Sequence, residues 1–277
     1  MYIEHTHITK DIMKNIFKLT AIAVLAITLA NCKKDTVTPP EPEPEAPAPV
    51  TTGSLKLNFE AMVGDSQLVF STSTYTNQAG NTFNVTMYRY YISNIKITKT
   101  DNSVWSETNS YHLIDHSDDA STLVTIPNVP FGNYKAIEFM IGVDSARNNS
   151  GAQTGALDPT NGMFWSWNQG YIMAKFEGTS PQSTASGNNL KFHVGGFSGA
   201  NKTMRIVSPS FNSDTAKVTS SVSPEIHMSS NLLEWFDTPT PINFSTFPNV
   251  IMSPGSSANT IADNYTDMFT VEHIHNN

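Results

Sequence analysis

Residues 137–143, Ile-Glu-Phe-Met-Ile-Gly-Val, place Ile137, Phe139, Ile141 and Val143 at every second position. Successive side chains of a β-strand point to opposite faces of a sheet, so apolar residues at this period predict a strand with one buried face. The segment therefore indicates a β-rich fold.

The same alternation recurs on both sides of this segment. It covers residues 55–59, and within 88–97 its phase slips at Ser93-Asn94, which predicts a bulge or a break between strands. Residues 231–236 are predicted to form a helical turn or two. Many short strands predict an all-β fold, an antiparallel β-sandwich forming one domain over residues 54–277. Further strands are predicted at 104–114, 123–126, 171–176, 190–194, 204–207 and 222–228.

Composition excludes several classes of function. The 277 residues carry a net charge of −8, and the three arginines, Arg89, Arg147 and Arg205, are scattered. Nucleic-acid binding needs clustered basic residues, so it is not expected. One cysteine, Cys32, excludes an intrachain disulfide, a zinc ribbon and a Cys-x-x-Cys redox site.

The N-terminal segment has the pattern of a secretory signal. Residues 1–31 are predicted to be a signal peptide, with Met13 a better start than Met1, and an apolar run over 19–30. The run ends at Leu29-Ala30-Asn31-Cys32, which resembles a bacterial lipobox. We therefore predict that Cys32 is lipidated and anchors the protein to a membrane.

A tether follows the predicted anchor. Lys33-Lys34-Asp35 resembles the export signal of Bacteroidetes-type surface lipoproteins, and residues 39–49 are dense in proline and glutamate. Such a segment cannot pack, so residues 32–53 are predicted to be a disordered linker. The expected location is the cell envelope, as an outer-membrane lipoprotein that is periplasmic or surface-exposed.

The centre of the chain carries a family resemblance. The stretch Gly162-Met-Phe-Trp165-Ser-Trp167-Asn168-Gln-Gly170-Tyr171 follows Gly142-Val-Asp144-Ser-Ala-Arg-Asn148 and Gly155-Ala-Leu-Asp158-Pro159. Together with Glu177-Gly178 and Phe192-His193-Val-Gly195-Gly196, it resembles the MbnP-like family over residues 54–275.

The resemblance implies a β-sandwich that binds copper as its cofactor. It also implies that one tryptophan, Trp165 or Trp167, lies at the metal and is oxidised to kynurenine by a MauG-like dihaem partner. The sequence does not choose between the two indoles.

Histidines are the candidate copper ligands, because imidazole binds both oxidation states of copper and the folded region has no thiol. On strand parity, His193 faces away from Phe192 and Val194, and His273 and His275 project from one face about 7 Å apart. We predict that these three histidines hold the metal. The interpretation of the others is that His116 and His227 are solvated, while His112 is either a hydrogen-bonded strand residue or a ligand.

The tryptophans and two nearby methionines allow two interpretations. On a strand, Trp165 and Trp167 would form a buried layer with Met163, whereas on a loop they would form an exposed platform of the kind that binds sugars. Met163 and Met173 would either be thioether ligands or fill gaps in the core.

The sequence contains no Gly-x-Ser-x-Gly elbow, no His-Glu-x-x-His helix and no phosphate-cradling glycine loop. We therefore expect a binding protein without catalytic residues. The alternative is a surface glycan-binding or adhesin-type β-sandwich module, which the acidic composition also suits.

Overall fold

Strands make up most of the regular structure of the protein, whose computed structural model describes residues 51–167 and 170–277. The predicted signal peptide, its start at Met13 and the lipidation site Cys32 lie outside the described residues. The first strand begins at Thr52, so the last two residues assigned to the linker, Thr52 and Gly53, belong to the folded part.

The described residues form sixteen strands: β1 (Thr52–Val63), β2 (Ser66–Gln67), β3 (Tyr75–Thr76), β4 (Thr82–Lys99), β5 (Val104–Ser106), β6 (Tyr111–Asp115), β7 (Leu123–Pro130), β8 (Gly132–Ile141), β9 (Phe164–Trp165), β10 (Gly170–Thr179), β11 (Asn189–Gly195), β12 (Arg205–Val207), β13 (Ala216–Val218), β14 (Glu225–Asn231), β15 (Val250–Ile251) and β16 (Phe269–His275).

Helices in the described part of the chain are short. The α-helices are α1 (Asp119–Thr122), α2 (Ser145–Asn149) and α3 (Ser256–Asn264). Single 3₁₀ turns occupy Gly155–Leu157, Pro159–Asn161, Ser186–Asn188, Gly199–Asn201, Leu232–Trp235 and Tyr265–Asp267. None of the helices in the described ranges has the length and apolar character needed to cross a membrane.

The strands form two sheets. The smaller sheet has the order β16-β14-β1-β2, with β7 also paired to β1, and its β1–β14 pair is parallel. The larger sheet has the order β12-β8-β4-β10-β11-β15, with shorter strands paired to β4, β8 and β10. Its β11–β15 pair is also parallel.

The predicted all-β sandwich is confirmed, but the sheets are mixed and not purely antiparallel. Alternation within a strand fixes which face is buried and leaves the direction of the neighbouring strand open. The slip at Ser93-Asn94 is a bulge inside the continuous strand β4, where Asn94 takes a φ of 54°. The predicted strand 104–114 is divided into β5 and β6 by a turn in which Asn109 has a φ of 52°.

The main core lies between the two sheets. Phe59 on β1, Phe139 on β8 and Phe269 on β16 meet edge to face, with ring centroids 5.0–6.3 Å apart. Such contacts add to the stability that comes from removing the rings from water.

A second apolar cluster covers the outer face of the larger sheet. Adjacent residues of β4 belong to different clusters, because they point to opposite faces of the sheet. Tyr90 lies in the main core and Tyr91 lies in the second cluster. The buried members of the second cluster are Tyr91, Val143, Leu157, Met163, Trp165, Tyr171, Ile172 and Met173. The segment that carries the family resemblance therefore packs on the outside of the sandwich.

Candidate metal centre

Strand β14 presents polar side chains to the outside of the smaller sheet. Ile226 and Met228 are fully buried in the main core, so Glu225 and His227, which alternate with them, point outward. The alternation of residues 225–228 thus places a carboxylate and an imidazole next to each other on one outer face.

A β-bulge aligns β16 with this face. Met228 pairs with Val271 and His227 pairs with His273, so Glu272 is the extra residue between the two pairs. Val271 and Ile274 point inward, whereas Glu272 and His273 are both exposed. If the strand alternated regularly from Val271, without the bulge, His273 would point toward the core.

The result is a cluster of three histidines, His227, His273 and His275. Each offers a ring nitrogen within 4.8 Å of those of the other two. The rings of His227 and His273 are stacked with centroids 4.4 Å apart, and the ring of His275 stands nearly perpendicular to both, 5.0 Å and 4.6 Å away. We call these three residues the histidine cluster.

Carboxylates surround the histidine cluster. Glu225 Oε1 lies 2.9 Å from His227 Nε2 and also accepts a hydrogen bond from Asn58 Nδ2 at 3.0 Å. Glu60 Oε1 is 3.7 Å from His227 Nδ1, and Glu272 accepts a hydrogen bond from Ser229. The site therefore combines imidazole nitrogen with nearby negative charge, which suits a cation.

His193 does not belong to the histidine cluster. It lies on β11 in the larger sheet, is 6% exposed, and its Nε2 is 2.7 Å from Glu177 Oε1. Burial lowers the pKa of His193, although the hydrogen bond that its ring donates to Glu177 opposes the shift. The structure therefore does not bring the predicted set of His193, His273 and His275 together among the described residues. Strand parity predicted the face on which each histidine lies, but not the sheet to which it belongs.

The third member of the histidine cluster is His227, whereas the sequence predicted His193. Its interpretation as a solvated side chain is wrong, because β16 lies beside β14 and brings His273 directly opposite. The available signal was that His227 lies opposite in phase to Ile226 and Met228, which places its side chain on the outer face.

The two remaining histidines have other partners. His112 Nε2 lies 2.9 Å from Glu107 Oε2, as expected for a hydrogen-bonded strand residue. His116 stacks on Tyr88, with centroids 4.9 Å apart, and its Nε2 is 3.1 Å from Tyr90 Oη. Burial lowers the pKa of His116 to about 4.

Trp165 and Trp167 differ in exposure. Trp165 is 1% exposed and packs on Gly195, where an added Cβ would lie 2.6 Å from the indole. Trp167 is 66% exposed, and its ring lies 6.4 Å from that of Trp165. One indole is buried and the other is on the surface, so neither of the two interpretations fits both rings.

Both tryptophans lie on the opposite side of the sandwich from the histidine cluster. Trp165 belongs to the apolar cluster on the outer face of the larger sheet, whereas His227 lies on the outer face of the smaller one. Two packed sheets are about 10 Å apart, so the expected contact between these histidines and an indole is not formed. Met163 and Met173 are fully buried on the tryptophan side, where they fill the core.

Comparison with known proteins gives one family. The family model described as MbnP matches residues 52–253. Among solved structures, MbnP from Methylosinus trichosporium is similar, with 13% sequence identity over 75% of this chain and 83% of that chain and a TM-score of 0.48. No curated protein matches. The matched residues include His227 and end before β16, which carries His273 and His275.

Proposed function

The chain belongs to the MbnP family, and from this premise we propose that it is a lipid-anchored, extracytoplasmic protein that binds copper and is not an enzyme. The observation that carries the proposal is the histidine cluster, whose three ring nitrogens lie within 4.8 Å of one another. No other arrangement of three histidine, cysteine or acidic ligands meets this distance among the described residues.

The donor set fits copper. Imidazole is a good ligand for this metal, and divalent copper binds nitrogen and oxygen donors more tightly than the other divalent metals of the first transition row. His227, His273 and His275 would hold the ion, and Glu60, Glu225 and Glu272 would offset its charge. Bound copper would supply a redox-active cation at the surface of the smaller sheet.

The position of the cluster favours uptake and release. His273 and His275 are exposed and lie on β16, at the edge of the smaller sheet. An ion bound there is reached from solvent without opening the core. Lipidation at Cys32 would keep this surface in the cell envelope, where the ion is exchanged.

Oxidation of a tryptophan beside the copper is not part of the proposal. Trp165 and Trp167 lie across the sandwich from the histidine cluster. If a MauG-like dihaem partner acts on this protein, we propose that it does so on the tryptophan face, separately from the metal.

The test is a copper titration of the full chain, purified in detergent, with a competing chelator. We expect about one tightly bound Cu²⁺ per chain, and its loss in His227→Ala and in His273→Ala. His112→Ala is the matched control, because it removes a histidine of the other sheet. Unchanged copper affinity in both cluster variants would contradict the proposal.

A glycan-binding role is the second candidate, and the 66% exposure of Trp167 is the observation that favours it. A single exposed indole can stack on a sugar ring, whereas buried Trp165 cannot take part. Glycan binding that is lost in Trp167→Ala, by a protein that takes up no copper, would support this role instead.

A further inference from the structure

We infer that Glu225 is a positioning residue of the copper site. Its carboxylate accepts a hydrogen bond from Nε2 of His227, which leaves Nδ1 as the nitrogen that binds the ion. The inference rests on the proposed function, because it assigns the atoms of the same site. Glu225 contacts the metal-binding histidine His227 and does not contact the ion itself.

Two side chains, those of Asn58 and Glu225, fix the orientation of His227. Asn58 on β1 pairs in register with His227 on β14, and its amide donates to Glu225 Oε1 at 3.0 Å. The same carboxylate oxygen lies 2.9 Å from His227 Nε2. A carboxylate can only accept a hydrogen bond, so the proton of a neutral His227 ring resides on Nε2.

The second nitrogen of His227 has no such partner. Nδ1 is buried and has no hydrogen bond to any described residue. Glu60 Oε1, at 3.7 Å, is too distant for a hydrogen bond. The lone pair of Nδ1 is thus unused, on a ring that stacks directly against His273. A buried polar atom without a partner is costly, and a bound ion would satisfy it.

This arrangement is the one that metal sites use to orient histidines. A carboxylate on the nitrogen that does not bind the metal fixes the tautomer and raises the basicity of the other nitrogen. Removing such a partner lowers metal affinity by about 10- to 100-fold.

Glu272 provides a matched control. It lies on the same outer face, is adjacent to His273 and carries the same charge, but its carboxylate accepts a hydrogen bond from Ser229 Oγ at 2.6 Å. Replacing Glu272 therefore removes one negative charge near the ion and leaves the Nε2 contact of His227 intact.

The experiment measures Cu²⁺ affinity by chelator competition and the electron paramagnetic resonance spectrum of bound Cu²⁺, in the full chain. We expect Glu225→Ala to weaken binding at least about 10-fold and to change the spectrum. Glu272→Ala should weaken it by about threefold or less, the range of a surface charge interaction. Glu225→Gln should fall between wild type and Glu225→Ala, because its amide oxygen still accepts from Nε2.

Each result has a defined meaning. Equal losses in Glu225→Ala and Glu272→Ala would overturn the inference, since charge alone would then account for both. The inference would also be overturned if Glu225→Gln lost as much affinity as Glu225→Ala. A wild-type chain that binds no copper would refute the proposed function itself, so the two failures are distinguishable.

Discussion

His227 and His273 face each other across β14 and β16 with stacked imidazole rings, 4.4 Å between centroids and 19° between planes. The two residues are far apart in sequence, and the bulge at Glu272 is what turns His273 to the same face as His227. An ion bound by both rings would therefore join β14 to the edge strand β16.

We first predict that Cu²⁺ stabilises the folded protein through this link. A ligand that binds only the folded state at 100 times its dissociation constant adds about 2.7 kcal/mol to the free energy of unfolding. Thermal or urea denaturation with and without Cu²⁺ measures the gain. His273→Ala should abolish it and His112→Ala should preserve it. An equal gain in His273→Ala would show that copper acts elsewhere.

Replacing Gly178 is predicted to destabilise the protein, because the backbone of β4 occupies the space that a side chain at this position of β10 would need. A Cβ at Gly178 would lie 2.0 Å from the backbone oxygen of Asn84, at a register shift between the two strands. Gly178→Ala should lower the free energy of unfolding by about 3 kcal/mol. Gly255→Ala is the control, since nothing lies within 4 Å of its Cβ position. It removes only a helix N-cap glycine, which we expect to cost about 1 kcal/mol or less. Similar losses in the two variants, measured by urea denaturation, would contradict the prediction.

The sequence predicts the sandwich because the apolar residues that alternate along the strands are the ones that are buried in the folded protein. Leu55 and Leu57 on β1, and Ile137 and Phe139 on β8, are buried as their alternation requires. Helix α3 was not predicted, since it is nine residues long and its buried face is formed largely by Ala258, Ile261 and Ala262. Such a short stretch with small residues gives little helical periodicity.

The histidine cluster was predicted only in part for a related reason. The spacing of His273 and His275 predicted a shared face, and the structure brings them together. Pairing between β14 and β16 is long-range, so local alternation does not identify the partner strand. The apolar phase slips between Val271 and Ile274, which marks a bulge but does not show that it lies opposite His227. Strand parity and the family resemblance both pointed to His193, but it belongs to the other sheet.

Trp167 is predicted to be the tryptophan that a soluble oxidant modifies first. It is 66% exposed, whereas Trp165 is 1% exposed and packs against Gly195. Limiting N-bromosuccinimide followed by peptide mass spectrometry should find added oxygen on Trp167 before Trp165. In Trp167→Phe, oxidation of Trp165 should stay slow while the protein is folded and become fast in urea. Faster modification of Trp165 in the native wild type would contradict this order.

Stability is predicted to fall in mild acid because of His116. Burial against Tyr88 lowers the pKa of His116 to about 4, below its ordinary value of 6.5. The unfolded chain takes up a proton near pH 6.5 and the folded chain only near pH 4, so protonation favours unfolding between these values. The contribution is complete above pH 6.5 and is lost as the pH falls to 4, by about 3 kcal/mol at 1.36 kcal/mol per pH unit.

His116→Gln tests this contribution, because glutamine can keep a hydrogen bond to Tyr90 and has no charged form. The free energy of unfolding from urea titrations between pH 7.5 and 4 should decline less steeply than in wild type. Some decline should remain, since burial also lowers the pKa of His193. His112→Gln, which alters a histidine paired with Glu107, should keep the slope due to His116. A wild-type slope in His116→Gln would mean that other groups cause the loss of stability in acid.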